Sequence, residues 1–483
     1  MNASPEDEVL DHTQETTSAP AGPAYRKLGW KLAFLPLVWC AAWVGINMHV
    51  FGVRLVHFSG RNMLFGLELD YAMGLFWWFV IATALFVLFD GQPRRMLMTA
   101  WLVKFFVVLV AMLVYERFYD LDAYTYFNSG ATGRFWMYPG HDFRQDMLPA
   151  LRPIEQTGDL GSFVTHGIGT ENGVRFMVLM ASITGPFYHA MKIGFAFLGL
   201  LGVWWFYRAV EVTLGRPYPQ AFYLLAFFPS ILFWSSILGK DPLQLVFLGL
   251  YAYGGAMWLV QGRFAALWYV GLGLFGSYLF RPWTAIMGAA VLGLATLMGR
   301  CRPWQVGLTL SAVLVSLLIV SPQAMLFSMG LTDIYAPEML VEAMGTRAQA
   351  VASAGGSQAE LPKPGEVSIP LIIFSGLFRP LPFDITNAFT ALAAVENSVI
   401  LWLCLVALIR FRLGYLRDPL VIWLLSMTLL WALLYGLIVM ANFGSGARYK
   451  LQILPFFLLG IIALVHKEGR AFLDSRLPVR RTG

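Results

Sequence analysis

Residues 71–89 read YAMGLFWWFVIATALFVLF, nineteen positions without a charged side chain. A helix needs about 20 apolar residues to cross the ~30 Å hydrocarbon core of a bilayer, so this stretch predicts a transmembrane helix. The same texture recurs along the chain. Of 483 residues, 58% are hydrophobic and 13% charged, and mean hydropathy is +0.64. Soluble domains carry about 25% charged residues; this chain has too few polar groups to clothe a surface in water.

Working outward, runs of this kind fall at 30–49, 71–89, 97–115, 189–209, 218–237, 242–260, 264–280, 283–299, 304–325, 394–411, 419–440 and 450–466. They predict an all-α polytopic membrane protein with about twelve transmembrane helices and two long outward-facing loops. On this division, 1–28 is a disordered cytoplasmic tail and 29–96 an N-terminal helical hairpin. A helical core at 97–325 includes an outer loop, 116–188. A second outer loop spans 326–393, C-terminal transmembrane helices occupy 394–466, and 467–483 is a basic cytoplasmic tail. The first tail holds Glu6, Asp7, Glu8, Asp11 and Glu15 and lacks the basic-then-apolar layout of a cleaved signal.

The net charge of +6 is spread in short clusters between apolar runs, which argues against nucleic acid as a partner and fits positive-inside topology. With both termini cytoplasmic, the inner side collects 18 of the 34 Lys and Arg residues. The short outer connections hold only Arg54, Arg61, Lys240, Arg281, Arg448 and Lys450. Cys40, Cys301 and Cys404 have no metal-site or disulfide spacing. Function is therefore expected to face outward, in 116–188 and 326–393. Within the first, 174–187 is too short to cross and is expected to lie in the interface or to dip in and out. Within the second, 335–352 reads as an amphipathic helix followed by a Gly/Ser/Pro-rich stretch, 353–366.

The first outer segment opens with Asp120-Leu121-Asp122-Ala123-Tyr124-Thr125-Tyr126. Two carboxylates one residue apart can bind a divalent cation, or one can act as general base; they can equally be solvated loop residues or helix caps. Lys240-Asp241 occupies a tight outer turn, either as a mutual ion pair or with Lys240 binding phosphate. Arg281 makes up most of another connection and reads as a snorkelling anchor or a ligand. Before the last span, Asn442-Phe443-Gly444-Ser445-Gly446-Ala447-Arg448-Tyr449-Lys450 sets two cations among small residues on the face where membrane orientation gives no reason for them. An arginine fork suits phosphate because it donates two parallel hydrogen bonds. Arg379, near the end of the second outer segment, and Glu396, beside the next span, can line a site or pair with each other. His141, His166 and His189 are too dispersed for a metal triad, with His141-Asp142 the pair of first interest. Lys104, inside a span, reads as a snorkeller.

This layout resembles the GT-C class of membrane glycosyltransferases, which take sugars from polyprenyl-phosphate carriers. Asp120-Leu121-Asp122 with the following aromatics is similar to that class's acidic motif, and Arg448-Tyr449 with Pro455 to its late arginine-aromatic-proline stretch. Phe228-Pro229-Ser230 running into Lys240-Asp241 also resembles a stretch of the class. In that class the acidic loop follows the first span, whereas here it follows the third; an added hairpin at 30–49 and 71–89 accounts for the offset. The resemblance implies transfer from a polyprenyl-phosphate-linked sugar to a glycan or lipid-linked acceptor, at the outer face of a bacterial inner membrane. It implies Asp120 or Asp122 as base and Arg448 as phosphate ligand, helped by Lys240, Arg281 and Lys450. Arg379, Glu396, His141 and Tyr124 would support the site or meet the acceptor. A divalent cation, Mg or Mn, held by Asp120 and Asp122 is compatible with this chemistry and not required by it. Two other readings stay open: a polymerase or O-antigen-ligase-like enzyme using a lipid-diphosphate-linked glycan, and a transporter or lipid flippase.

Overall fold

A computed structural model of the chain describes residues 56–58, 61–63, 67–112, 123, 126–127, 169–319 and 368–476. The apolar runs become helices because a backbone inside hydrocarbon must satisfy each N–H and C=O within its own segment. In chain order they are α1 (Leu67–Leu88), α2 (Gly91–Phe106), α3 (Thr170–Thr184), α4 (Tyr188–Leu214), α5 (Pro219–Phe227), α6 (Pro229–Trp234), α7 (Lys240–Ala256), α8 (Ala265–Phe280), α9 (Pro282–Met298) and α10 (Pro303–Ile319). There follow α11 (Ile369–Phe378), α12 (Ala388–Arg410), α13 (Pro419–Ala441), α14 (Phe443–Tyr449) and α15 (Leu454–Arg476). One-turn π segments, Val107–Ala111 and Met257–Gln261, extend α2 and α7. A small antiparallel ladder precedes α1, β1 (Val56–Phe58) against β2 (Arg61–Met63), with Val56 opposite Met63.

Among the described residues, five helical stretches are long and apolar enough to cross a membrane: Leu69–Leu88, Tyr188–Leu214, Lys240–Gln261, Ala388–Arg410 and Pro419–Gly436. A sixth arises if the bent pair Phe443–Gln452 and Leu454–Lys467 counts as one. The apolar helices α8 and α9 have 16 and 17 residues. At 1.5 Å per residue they rise only about 24–26 Å, less than the ~30 Å core.

Two expected spans need correction. Residues 218–237 do not form one helix: Phe228 is extended and Pro229 opens α6, because proline has no N–H for the preceding helix and clashes with its carbonyls. The expected span at 450–466 is not one straight helix beginning at 450: the apolar stretch starts in α14, and Phe443–Gln452 and Leu454–Lys467 meet at 55°. The apolar stretch at 174–187 is helical as far as Thr184, where Gly185 at φ +81° ends α3. Within the second outer segment, α11 packs lengthwise on α13. Residues 30–49, 335–352 and 353–366 lie outside the described residues.

The bundle is centred on α4 and α7, its most extensively packed pair. Lipid tails are as apolar as leucine, so close backbone approach and dispersion hold such helices together. A Cβ on Gly249 would sit 2.6 Å from the Gly202 carbonyl oxygen, and one on Gly202 2.8 Å from the Leu245 backbone; no larger residue fits this crossing. One set of buried polar groups pairs across three helices. Trp423 Nε1 donates to Tyr251 Oη at 2.6 Å, which donates to the Gly288 carbonyl at 2.7 Å, joining α13, α7 and α9. Phe79, Trp268 and Trp402 point outward and are exposed, as lipid-facing side chains are.

Candidate functional site

The first turn of α7 carries Asp241, 2% exposed, where the helix dipole favours a carboxylate. Its Oδ1 accepts from Arg281 Nη2 at 2.5 Å and its Oδ2 from Arg448 Nε at 2.6 Å. These hydrogen bonds come from positions 40 and 207 residues away, not from neighbouring Lys240. Arg281 links α8 to α9, is 4% exposed and lies over the Tyr449 ring at 4.8 Å. It is thus no lone anchor snorkelling to the surface. Among the described residues, its buried Nη1 has no hydrogen-bond partner. Two guanidinium groups thus converge on one carboxylate, with Lys240 next to it in the chain. Around them, Trp283 Nε1 donates to Tyr435 Oη, which donates to Gln452 Oε1 at 3.2 Å. The Tyr435 and Tyr449 rings lie 5.2 Å apart.

Two residues beyond Arg448, Lys450 turns inward. It is 2% exposed, and its Nζ donates to the Arg379 carbonyl at 2.7 Å and Asn397 Oδ1 at 2.8 Å. Asn397 Nδ2 donates to the Pro380 carbonyl at 2.9 Å. The Arg379 side chain forks onto Asp384, Nε to Oδ2 at 3.0 Å and Nη2 to Oδ1 at 2.5 Å. Burial alone would push the Asp384 carboxyl up; hydrogen bonds from Arg379 and the Leu381 N–H, with Arg379's charge, hold it below the ordinary aspartate value. Glu396 does not hydrogen-bond Arg379. Its Oε2 accepts from the Ser230 N–H at 2.8 Å, one of the otherwise unsatisfied donors at the start of α6. Arg281, Arg448, Lys450, Arg379 and Glu396 are therefore joined by α14 and the turns around it.

The acidic pair Asp120 and Asp122, with Tyr124, His141 and His166, lies outside the described residues. Of the same stretch, Ala123, Tyr126 and Phe127 are described; they are buried with Tyr188, Leu238, Leu243 and Phe280. Lys240 Nζ stands 5.8 Å above the Tyr126 ring, so this stretch meets the α7 turn. Among the described residues, no three His, Cys, Asp or Glu side chains gather where they could hold a metal ion.

Two buried sets escaped the sequence reading. Lys104 does not snorkel: 2% exposed, its Nζ donates to Ser235 Oγ at 2.7 Å, Ser236 Oγ at 2.8 Å and the Ser235 carbonyl at 3.2 Å. A Cβ on Gly199 would come 1.9 Å from that carbonyl, so α2 and α4 together fix the turn leading into Lys240-Asp241. Asp70 accepts from the Tyr188 and His189 N–H groups, each at 2.8 Å, and meets His189 Nδ1 at 2.5 Å. It caps α4 from another helix. The Pro229 break and the two-serine turn after it were the available signals for the first set; nothing local signals the second.

Among the described residues, the arrangement brings five cations, Lys240, Arg281, Arg379, Arg448 and Lys450, against the carboxylates Asp241, Asp384 and Glu396. Such a surplus can hold an anion, phosphate above all. Comparison of the chain with family models, curated proteins and solved structures gave no match.

Proposed function

We propose that this chain is a membrane glycosyltransferase of GT-C type, with about twelve crossings and both termini cytoplasmic. It takes a sugar from a polyprenyl-phosphate donor at the outer face of a bacterial inner membrane, for cell-surface glycan assembly. The observation that carries this reading is the convergence of Arg281 and Arg448 on one buried carboxylate, beside Lys240 and with the orphan Arg281 Nη1. A buried donor without a partner is costly, and a phosphate oxygen would satisfy it.

In this scheme the acceptor hydroxyl attacks the anomeric carbon as the bond from that carbon to the phosphate oxygen breaks. The hydroxyl proton passes to Asp120 or Asp122, and the electron pair stays on the departing phosphate. Negative charge grows there in the transition state, so cations held in place stabilise it more than the ground state. Arg448 takes the phosphate, Arg281 and Lys240 assist, and Lys450 holds the second outer segment through Arg379 and Asn397. A divalent cation on Asp120 and Asp122 would add Lewis-acid assistance.

The test gives purified protein each donor, a monosaccharide on a lipid monophosphate and a glycan on a lipid diphosphate, and follows consumption. Consumption of the first, lost in Asp120→Asn or Asp122→Asn protein that still inserts, supports the reading. Consumption of the second alone assigns the chain to polymerase or ligase chemistry. Full transfer by both Asn variants removes the catalytic assignment.

A further inference from the structure

α12 presents much of its length to lipid: Trp402, Leu405, Leu408 and Ile409 are exposed. Between α12 and α15 runs a groove lined by Trp402, Val406, Ala407, Ile461 and Leu464, and by the aliphatic stem of Arg410 in the last turn of α12. Trp402 and Arg410 are eight residues apart, so the groove extends about 12 Å along the helix. Among the described residues, Arg410 is the only charged one that lines it.

The arginine belongs to a basic rim. Arg412 and Arg417 are exposed in the connection to α13. The Arg300 N–H donates to the Arg417 carbonyl at 3.2 Å, which brings exposed Arg300 and Arg302 to the same end. The nearby carboxylate Asp418 is already engaged: it accepts from the Leu420 N–H at 2.8 Å and pairs with Lys467. Among the described residues, Arg412 and Arg417 have no carboxylate partner.

Plain hydrocarbon would cover an apolar face, but a groove that ends on arginines fits a molecule apolar along its length and anionic at its tip. We infer that this groove seats an acyl chain of an anionic phospholipid, whose phosphate head group rests on Arg410 and Arg412. A zwitterionic lipid offers the same chains but carries its own cation toward the arginines. The seat is separate from the proposed donor site. Asn397, which contacts Lys450, lies 13 residues earlier on α12, about 20 Å away along the axis.

The test uses the full-length protein, stripped of lipid in detergent and incubated with vesicles of dioleoyl phosphatidylglycerol or dioleoyl phosphatidylcholine. Lipid retained per protein is measured by mass spectrometry after re-isolation. Retention of the anionic lipid should exceed that of the zwitterionic one by on the order of tenfold, given the attraction expected per surface arginine. The Arg410→Ala/Arg412→Ala variant should lose the preference. Ala407→Phe, which fills the groove and leaves the rim intact, should lower retention of the anionic lipid. Equal retention by the wild-type protein overturns the inference, as does an undiminished preference in the double arginine variant or undiminished retention of the anionic lipid by Ala407→Phe. Arg410 and Arg412 are exposed and Ala407 is half-buried in the groove wall; if the double variant unfolds in detergent, Arg410→Gln is read in its place by the same criterion.

Discussion

At the residue scale, Asp241 and Arg448 separate structure from chemistry. Asp241→Asn leaves the buried Arg281 guanidinium and the half-buried Arg448 one facing a neutral amide, and removing one partner of a buried ion pair costs about 3–5 kcal/mol. The variant should show a lowered unfolding temperature in detergent as well as lost transfer. Arg448→Ala leaves Asp241 paired with Arg281, so about 2 kcal/mol or less of stability is at stake. On the proposed mechanism, transfer should still fall by about 100-fold or more. Near-normal transfer by stable Arg448→Ala protein would sink the assignment of phosphate binding to this residue. Asp384 makes a pH prediction. Its folded pKa lies below the ordinary aspartate value, so its contribution to stability is complete above about pH 4 and is lost as pH falls through the folded pKa. Thermal unfolding of wild type and Asp384→Asn should therefore differ at neutral pH and converge in acid. A gap that stays constant from pH 7 to pH 3 contradicts this.

At the element scale, the turn between α6 and α7 carries the consequence. Pro229 ends the helical run, Lys104 holds Ser235 and Ser236, and Gly199 lets α4 come against the Ser235 carbonyl. Gly199→Ala forces a backbone atom to move, and overpacking of this kind costs about 1–3 kcal/mol. The displacement falls on the turn leading directly to Lys240-Asp241, so donor KM should rise more than stability alone explains. An unchanged KM in the variant would show the turn to be mere scaffold. Most helices were legible in the sequence because hydrophobic length is a local signal. The Asn387, Asp418 and Asn442 caps, which bond the first free N–H groups of α12, α13 and α14, sit at readable boundaries. The break at Pro229 was legible too, yet the apolar run around it outweighed one proline in the reading. Apolar α11 hid in a segment read as an outer loop, its ten residues being too few to count as a span.

At the scale of the whole molecule, the sequence singled out Arg281, Arg448, Lys240 and Lys450 because charges between apolar runs are conspicuous. It did not show that one carboxylate joins the first two, because a pairing across 207 residues leaves no trace in local spacing. Nor could it tell a buried lysine such as Lys104 from a snorkelling one, since both sit near the end of an apolar run. Which end of the bundle faces the cytoplasm rests on charge distribution, and the fold gives this a sharp test. α12 is 23 residues long, about 34 Å, so exposed Phe383 before it and Gly414 after it lie at opposite ends. The Arg300 to Arg417 hydrogen bond sets the connection that contains Cys301 at the Gly414 end. With Cys40, Cys301 and Cys404 replaced, Phe383→Cys should react with a membrane-impermeant maleimide added to intact cells. Gly414→Cys should react only in inverted vesicles, and Cys301 restored alone should follow Gly414→Cys. The reverse pattern would place the Asp241 cluster in the cytoplasm, away from any donor presented at the outer face. Labelling of both positions from one side would mean that α12 does not cross, and the basic end could not then face the inner leaflet while the Lys450 end faces out.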